Sequence, residues 1–146
     1  MKIIFAGGRD FNNVDAAYKV LSVLISKKLF TEPQDFICVS GTAKGADTLF
    51  AEELKSQDVE IEYYPADWND LVTEPVVIKT NTYGKKCNIL AGHNRNTLMA
   101  KVSDVLVCVY NGSKGTSNMI ETMSKLGKPV YIFTYNGDLK EVINEN

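Results

Sequence analysis

The sequence has few cysteines, one histidine and no long apolar run. Its three cysteines have no regular spacing and its only histidine is His93, so neither a disulfide framework nor a zinc site is indicated. The longest apolar run, Val105 to Tyr110, has six residues, far below the roughly 20 needed to cross a bilayer. The apolar stretch at 3–6 is too short for the core of a signal peptide. We therefore expect a soluble, cytoplasmic protein that needs no metal and no cofactor.

Neither sign of charge is in large excess. Sixteen Lys and Arg stand against eighteen Asp and Glu, which gives a net charge of -2. Proteins that bind nucleic acid non-specifically usually carry excess positive charge or a basic stripe. The balance therefore counts against DNA or RNA as the main ligand, although it leaves room for a local contact. With 146 residues, the chain fits a single domain over 1–146.

Short apolar runs alternate with segments of helical periodicity along the chain. The apolar runs predict five strands, near 2–6, 36–39, 59–64, 105–110 and 130–134. Helical spacing predicts four helices between them, near 14–25, 46–54, 91–103 and 119–126, and a short tail helix at 138–144. Residues 69–88 lack clear periodicity, which predicts a long irregular loop with a functional or mobile role.

The composition of the strands suggests their order in a sheet. The first, second and fourth strands are continuously apolar, as expected for strands buried on both faces. The third alternates apolar residues with Glu60 and Glu62, which favours an exposed edge. The predicted fold is therefore α/β, a Rossmann-like open parallel sheet of five strands in the order 3-2-1-4-5 with helices on both faces. Its topological switch point lies between the first and fourth strands.

Three strand-to-helix turns are rich in glycine, at 7–10, 40–47 and 112–117. Glycine lets the backbone approach a ligand closely, and the start of a helix presents free N–H groups that attract anions. None of the turns has the spacing of the dinucleotide fingerprint or the P-loop. Ligands of open α/β sheets bind at the carboxyl ends of the strands, so we predict a phosphate or other anion site there. The predicted ligand-binding residues in these turns are Gly7, Gly8, Arg9, Asp10, Ser40, Gly41, Lys44, Gly45, Asp47, Gly112, Ser113, Lys114, Gly115, Thr116 and Ser117.

Two further clusters of residues can face the same predicted anion site at the carboxyl ends of the strands. Asn94, Arg95 and Asn96 form a basic, amide-rich start to the third helix. Asp67 and Trp68 follow the third strand, where Trp68 could stack on a base and Asp67 could accept ribose hydroxyls. Each cluster also has a structural interpretation. The helix start can simply be solvated, and the tryptophan can pack beneath the loop.

Taken together, these strings resemble the SLOG superfamily of DprA-type and LOG-type Rossmann-like proteins, specifically its YspA-like branch. The resemblance rests on five strings in the same order, at 7–11, 40–47, 65–68, 91–99 and 112–116. It implies a Rossmann-like fold that binds nucleotide-derived ligands, since relatives include cytokinin-nucleotide phosphoribohydrolases and domains that sense ADP-ribose-type signals. It also implies a homo-oligomer, with a dimer as the expected state.

Two departures from the LOG-type hydrolases bear on catalysis. Those enzymes carry a catalytic glutamate three residues after the threonine of the last glycine turn, where this chain has Met119. Glu121 lies about 200° round the helix from that position and does not substitute for it. The Met-His-x-Arg-Lys motif of the hydrolases corresponds to residues 92–96 here, where the arginine is retained as Arg95 and the lysine is replaced by Asn96.

These departures favour a binding protein, a sensor or a sequestering protein, for an ADP-ribose-like molecule or a nucleoside phosphate. The alternative is an N-glycosidic nucleotide hydrolase that uses Asp10, Asp47 or Glu121 as its carboxylate. A third interpretation, DNA binding by analogy with DprA, is disfavoured by the charge balance.

Overall fold

The computed structural model describes residues 1–145, which form four α-helices and eight strands. The helices are α1 (Val14–Ser26), α2 (Ala46–Lys55), α3 (Ala91–Val102) and α4 (Lys114–Lys125), and one short 3-10 turn covers Pro33–Asp35. The strands are β1 (Lys2–Gly7), β2 (Ile37–Ser40), β3 (Glu60–Tyr63), β4 (Ile78–Thr80), β5 (Lys86–Asn88), β6 (Val105–Val109), β7 (Val130–Phe133) and β8 (Leu139–Ile143).

Six of these strands form one sheet in the order β3-β2-β1-β6-β7-β8. β1 pairs in parallel with both β2 and β6, so that Ile3 lies opposite Cys38 on one side and Val105 on the other. The five predicted strands, their order and the edge position of β3 are confirmed. β2 and β3, which follow β1 in the chain, lie on one side of it, and β7 and β8, which follow β6, lie on the other, so the switch point is between β1 and β6, as predicted.

Helices cover both faces of the sheet because β1 and β6 are apolar on both sides. α1 and α2 pack on one face over a core that includes Phe5, Phe11 and Phe50. α3 and α4 cover the opposite face, where Met99 and Met119 pack with the neighbouring strands. Among the described residues, no helix has the length and apolar character needed to cross a membrane.

The predicted tail helix at 138–144 is wrong, because these residues form β8, antiparallel to β7. A tight turn reverses the chain: the Gly137 amide donates to the Thr134 carbonyl at 3.0 Å, and the Thr134 amide donates to the Asp138 carbonyl at 2.8 Å. Gly137 has φ +85, a conformation that favours glycine. An Asn-Gly pair between two strands is a hairpin signal, and here it outweighs the helical spacing that follows.

Residues 69–88 contain more regular structure than their sequence predicts. β4 and β5 form a separate two-stranded antiparallel sheet, with Lys79 opposite Cys87 and Thr80 opposite Lys86. We refer to residues 77–88 as the β4–β5 ribbon. The ribbon leads directly into α3 and so connects the edge of the main sheet to one wall of the candidate site.

Candidate functional site

A cleft of about 420 Å³ lies where the end of β1 meets the first turn of α4. We call it the switch-point cleft, and its volume is within the range of small-molecule sites. Four segments line it: the end of β1 with its following turn, the turn before α2, the middle of α3, and the start of α4. The lining residues are Ala6, Gly7, Arg9, Asp10, Ala43, Asp47, Arg95, Asn96, Met99, Ser113, Lys114, Gly115, Thr116 and Met119.

The first turn of α4 presents backbone N–H groups that no side chain caps. Ser113 occupies the N-cap position, yet its hydroxyl donates to the Thr116 Oγ1 at 2.8 Å and accepts no first-turn amide. In α1, by contrast, the Asn13 Oδ1 accepts the Ala16 amide at 3.1 Å. Free N–H groups at the start of a helix need an acceptor and carry partial positive charge. The start of α4 is therefore suited to an anionic oxygen.

Gly115 leaves this turn open to a ligand. It is the second residue of α4 and lines the switch-point cleft. A Cβ added there would meet no atom within 4 Å, so the space beside it is unfilled by protein. A ligand oxygen can therefore approach the backbone directly.

The inner surface of the switch-point cleft is apolar. Met119, at the position of the LOG-type glutamate, is 1% exposed and packs in the core beside Met99. Ala6 adds a third apolar contribution from the end of β1. The cleft thus combines an apolar floor with polar walls, as expected for a ligand with a flat apolar part and a charged end.

A buried carboxylate and a guanidinium both lie close to Gly41. Asp47 is 5% exposed, and its Oδ2 accepts the Ala43 amide at 3.4 Å. The Arg95 guanidinium donates to the Gly41 carbonyl, and its Nε donates to the Asn96 Oδ1 at 3.0 Å. A Cβ on Gly41 would lie 2.8 Å from the Asp47 Oδ2 and 2.9 Å from the Arg95 Nη1, so a larger residue would require these two side chains to shift. Arg95 therefore ties α3 to the turn after β2.

Burial dominates the electrostatics of this pair. It raises the pKa of Asp47 to about 6, although Arg95 and the backbone N–H groups of Ala43 and Gly7 act in the opposite direction. Burial also lowers the pKa of Arg95, and the Asp47 carboxylate partly offsets that effect. Asp47 therefore changes charge closer to neutral pH than an exposed aspartate does.

The raised pKa of Asp47 predicts how the free energy of unfolding depends on pH. Because the pKa of Asp47 in the folded protein, about 6, is above the ordinary aspartate value of 3.8, the protonated carboxyl stabilises the folded state below pH 4, and this stabilisation is lost as pH rises through 6. We expect the stability of the unmodified protein relative to Asp47→Asn to fall by on the order of 3 kcal/mol between pH 4 and pH 7. Urea denaturation of both proteins across this range checks the value. A difference that does not change with pH would contradict it.

Asp10 is held by an aromatic side chain from the far end of the chain. The Tyr135 hydroxyl donates to the Asp10 Oδ1 at 2.5 Å. Burial and this carboxylate raise the pKa of Tyr135 to about 12. Sequence reasoning missed Tyr135. The available signal was its position just after β7, at the same edge of the sheet as the glycine turns.

The switch-point cleft brings together ten of the predicted ligand-binding residues and leaves the others elsewhere. The ten are Gly7, Arg9, Asp10, Asp47, Arg95, Asn96, Ser113, Lys114, Gly115 and Thr116. Gly8, Ser40, Gly41, Lys44, Gly45, Asp67, Trp68, Asn94, Gly112 and Ser117 do not line it. Ala6, Ala43, Met99 and Met119 line it without having been predicted as ligands.

Several of the residues outside the cleft hold the turns together. The buried Ser40 Oγ accepts the Thr42 amide at 3.2 Å. A Cβ on Gly45 would lie 2.4 Å from the Gly8 carbonyl oxygen, so these two turns are in direct contact. The Ser117 Oγ donates to the Ser113 carbonyl at 2.9 Å. These side chains shape the walls of the site.

A second cleft of about 520 Å³ lies on the other side of Arg95, between α3 and the segment after β3. Asp67, Asn94 and Arg95 are among its lining residues. Trp68 lies over Gly92, because a Cβ on Gly92 would be 3.5 Å from the indole ring. Lys44 and Gly45 border a shallow depression beyond Arg9. No group of His, Cys, Asp and Glu within residues 1–145 could hold a metal ion.

The candidate carboxylates differ in their surroundings. Asp10 and Asp47 line the switch-point cleft. Glu121 is exposed on α4, where it pairs with Lys125 at 2.7 Å, and it lies outside the cleft. Only two of the three predicted catalytic candidates could therefore reach a ligand in the cleft.

The chain shares its fold with two solved structures. One is DNA processing protein A from Helicobacter pylori, described for its binding of single-stranded DNA, with 15% identity and a TM-score of 0.60 over 91% of this chain and 65% of that one. The other is DNA processing protein A (DprA) from Streptococcus pneumoniae, with 18% identity and a TM-score of 0.63 over 90% of this chain and 50% of that one. The chain spans less than two thirds of the length of either protein, and at these identities the similarity shows the fold alone.

Sequence comparison gives a more specific result than fold comparison. Residues 1–70 match the YspA, cpYpsA-related SLOG family. No curated protein matches the chain. The matched segment includes the first two glycine turns and Asp47, and the fold of the whole chain is the Rossmann-like sheet that the resemblance implied. The match therefore places residues 1–70 of the chain in the YspA, cpYpsA-related SLOG family.

Proposed function

We propose that the switch-point cleft binds a nucleotide-derived ligand, an ADP-ribose-like molecule or a nucleoside phosphate, and that the protein acts as a sensor or sequestering protein for it. The observation that carries the proposal is the start of α4, where uncapped N–H groups and the open face of Gly115 adjoin the cleft. Backbone N–H groups that lack a side-chain cap, next to open space at Gly115, favour the binding of a phosphate at this position.

The other lining residues complement the two ends of such a ligand. Arg9 and Lys114 border the cleft and neutralise phosphate charge, while Arg95 adds positive potential from the inner wall. The apolar floor formed by Met99 and Met119 packs against a base or a sugar face. Asp10 offers its second carboxylate oxygen to ribose hydroxyls, because Tyr135 engages only one.

Thermal denaturation with a panel of AMP, ADP, ADP-ribose, NAD and cyclic dinucleotides tests the proposal. A ligand present at 100 times its Kd stabilises the folded state by about 2.7 kcal/mol. For a chain of this size, that corresponds to a rise in Tm of roughly 5–10 °C. At least one compound should produce such a rise. If none changes the melting curve, nucleotide binding is contradicted.

One observation favours a second candidate, an N-glycosidic nucleotide hydrolase. Asp47 is a buried carboxyl that lines the cleft, and its pKa is raised to about 6, a property typical of general acids in glycoside hydrolysis. Against it, the position of the LOG-type glutamate is filled by the buried Met119. The binding proposal therefore predicts no turnover.

Chromatography of AMP and ADP-ribose incubated with the protein separates the two candidates. We expect no measurable release of free base, because Met119 removes the carboxylate from the floor of the cleft. Base release by the unmodified protein that is lost in Asp47→Asn would establish the hydrolase instead. Glu121→Gln is the control, since Glu121 lies outside the cleft.

A further inference from the structure

Although the net charge of the whole chain is only -2, one segment carries basic residues and no acidic ones. Residues 75–103 contain five of the sixteen Lys and Arg and the only histidine, but no Asp or Glu. All eighteen acidic residues therefore lie elsewhere, together with the other eleven cations. Three of the five cations, Lys79, Lys85 and Lys86, are in the β4–β5 ribbon.

The β4–β5 ribbon is ordered by its own hydrogen bonds. At its turn, the Asn81 Oδ1 accepts the amides of Tyr83 and Lys85, both at 2.9 Å. At its base, the Oδ1 of Asn88, which is 1% exposed, accepts the Val77 amide at 3.2 Å and the Leu90 amide at 3.0 Å. The turn and the base are thus both fixed, and the ribbon is a defined protrusion.

The ribbon contributes little to the core. Every residue from 77 to 86 is exposed. Tyr83, at the turn, is 95% exposed, and Val77 and Ile78 are also exposed apolar side chains. An isolated two-stranded ribbon is only marginally stable and buries almost nothing here. Exposed apolar side chains set among lysines indicate a surface that another molecule covers.

We propose that the β4–β5 ribbon binds single-stranded nucleic acid. Lys79, Lys85 and Lys86 contact phosphates, and Tyr83 stacks on a base. Charge complementarity favours a polyanion, since the ribbon carries three lysines and no acid. The exposed aromatic ring favours a polyanion with bases, because stacking on aromatic side chains accompanies phosphate contacts in single-strand binding. Strand alternation places Lys79 and Lys86 on opposite faces, which suits a flexible strand better than a rigid duplex.

Fluorescence anisotropy of labelled 20-nucleotide single strands, dT and rU, tests the proposal on the full chain. The triple variant Lys79→Ala, Lys85→Ala, Lys86→Ala should weaken binding at least tenfold and reduce the slope of log K against log salt by about 2. Tyr83→Ala should weaken binding roughly 5- to 100-fold, and Tyr83→Phe should restore most of it because the stacking ring remains. Comparison of dT with rU shows whether the ribbon prefers DNA or RNA.

A matched control distinguishes an effect of where the lysines lie from an effect of the total charge of the protein. Lys27, Lys55 and Lys140 are exposed and lie far along the chain from the ribbon, and their triple replacement by alanine removes the same charge. This control should bind as the unmodified protein does, and all variants should keep its Tm because none of the replaced side chains is in the core.

Several results would overturn the proposal. These are the absence of saturable binding at low salt, equal weakening by the control triple, and unchanged affinity in Tyr83→Ala. Equal competition by polyglutamate of the same charge would also overturn it, because the ribbon would then recognise charge without bases. None of the residues replaced in the ribbon variants lines the switch-point cleft, so this proposal and that of nucleotide binding can fail separately.

Discussion

Replacement of Gly115 by valine is expected to abolish nucleotide binding in a protein that still folds. A Cβ at this position meets no protein atom within 4 Å, so the fold accepts the side chain. The same side chain occupies the space through which a phosphate would reach the N–H groups of Lys114 and Thr116. We expect the Kd for ADP-ribose or the best nucleotide of the panel to rise at least 100-fold, measured by calorimetric titration.

A matched pair of alanine variants separates this effect from changes in helix stability. Gly92 and Gly115 are each the second residue of a helix whose N-cap makes no side-chain hydrogen bond. Only Gly115 lines the switch-point cleft. Alanine should stabilise either helix by up to about 1 kcal/mol. Gly115→Ala should weaken binding at least tenfold, whereas Gly92→Ala should not. Unchanged affinity in a folded Gly115→Val would remove this turn from the site.

The second large effect is expected from Arg95→Ala. Arg95 lines the cleft, and in the proposed function its loss would remove a charge-assisted contact with phosphate worth about 1.5–3 kcal/mol, which corresponds to a roughly 10- to 150-fold weaker nucleotide affinity. Arg95→Lys should recover only part of this, because an ammonium group lacks the planar fork of a guanidinium. Calorimetric titration of both variants measures the loss.

Arg95→Ala should also lower the free energy of unfolding. The Gly41 carbonyl loses its donor, and the buried Asp47 loses the cation that lowers its pKa. Urea denaturation therefore accompanies each titration, and affinities are compared only under conditions where both variants are folded. Lys101→Ala is the control, since Lys101 is an exposed cation of the same helix that does not line the switch-point cleft. Equal affinities in Arg95→Ala and the unmodified protein would contradict a role for Arg95 in binding.

The topology of the sheet could be predicted because it depends on hydrophobic pattern. The apolar runs of β1 and β6 require cover on both faces, and the alternation around Glu60 and Glu62 requires an edge. β8 could not be predicted in the same way. Leu139, Val142 and Ile143 have the spacing of one helical face, so periodicity alone favoured a helix. The turn at Gly137 makes this segment a strand, because it directs the chain back along β7.

The candidate site could be predicted at the level of turns but not of side chains. Strand order alone brings the turns after β1 and β6 together, and both border the switch-point cleft. Whether a polar residue in such a turn faces a ligand or another turn depends on packing. Gly45 resembles a ligand-binding glycine in sequence, yet it is required by its close contact with the backbone of Gly8 and Arg9. Tyr135 lies 125 residues from its partner Asp10, a distance over which local pattern carries no signal.

The most direct test of phosphate binding at the start of α4 is a nucleotide titration followed by amide chemical shifts. In 15N–1H spectra, binding should shift the amides of Lys114, Gly115 and Thr116 most strongly, because their N–H groups gain an anionic acceptor. The amide of Ala16, already capped by Asn13, should change little and serves as an internal control. Binding that leaves the α4 amides unshifted and perturbs another surface would contradict the proposed site.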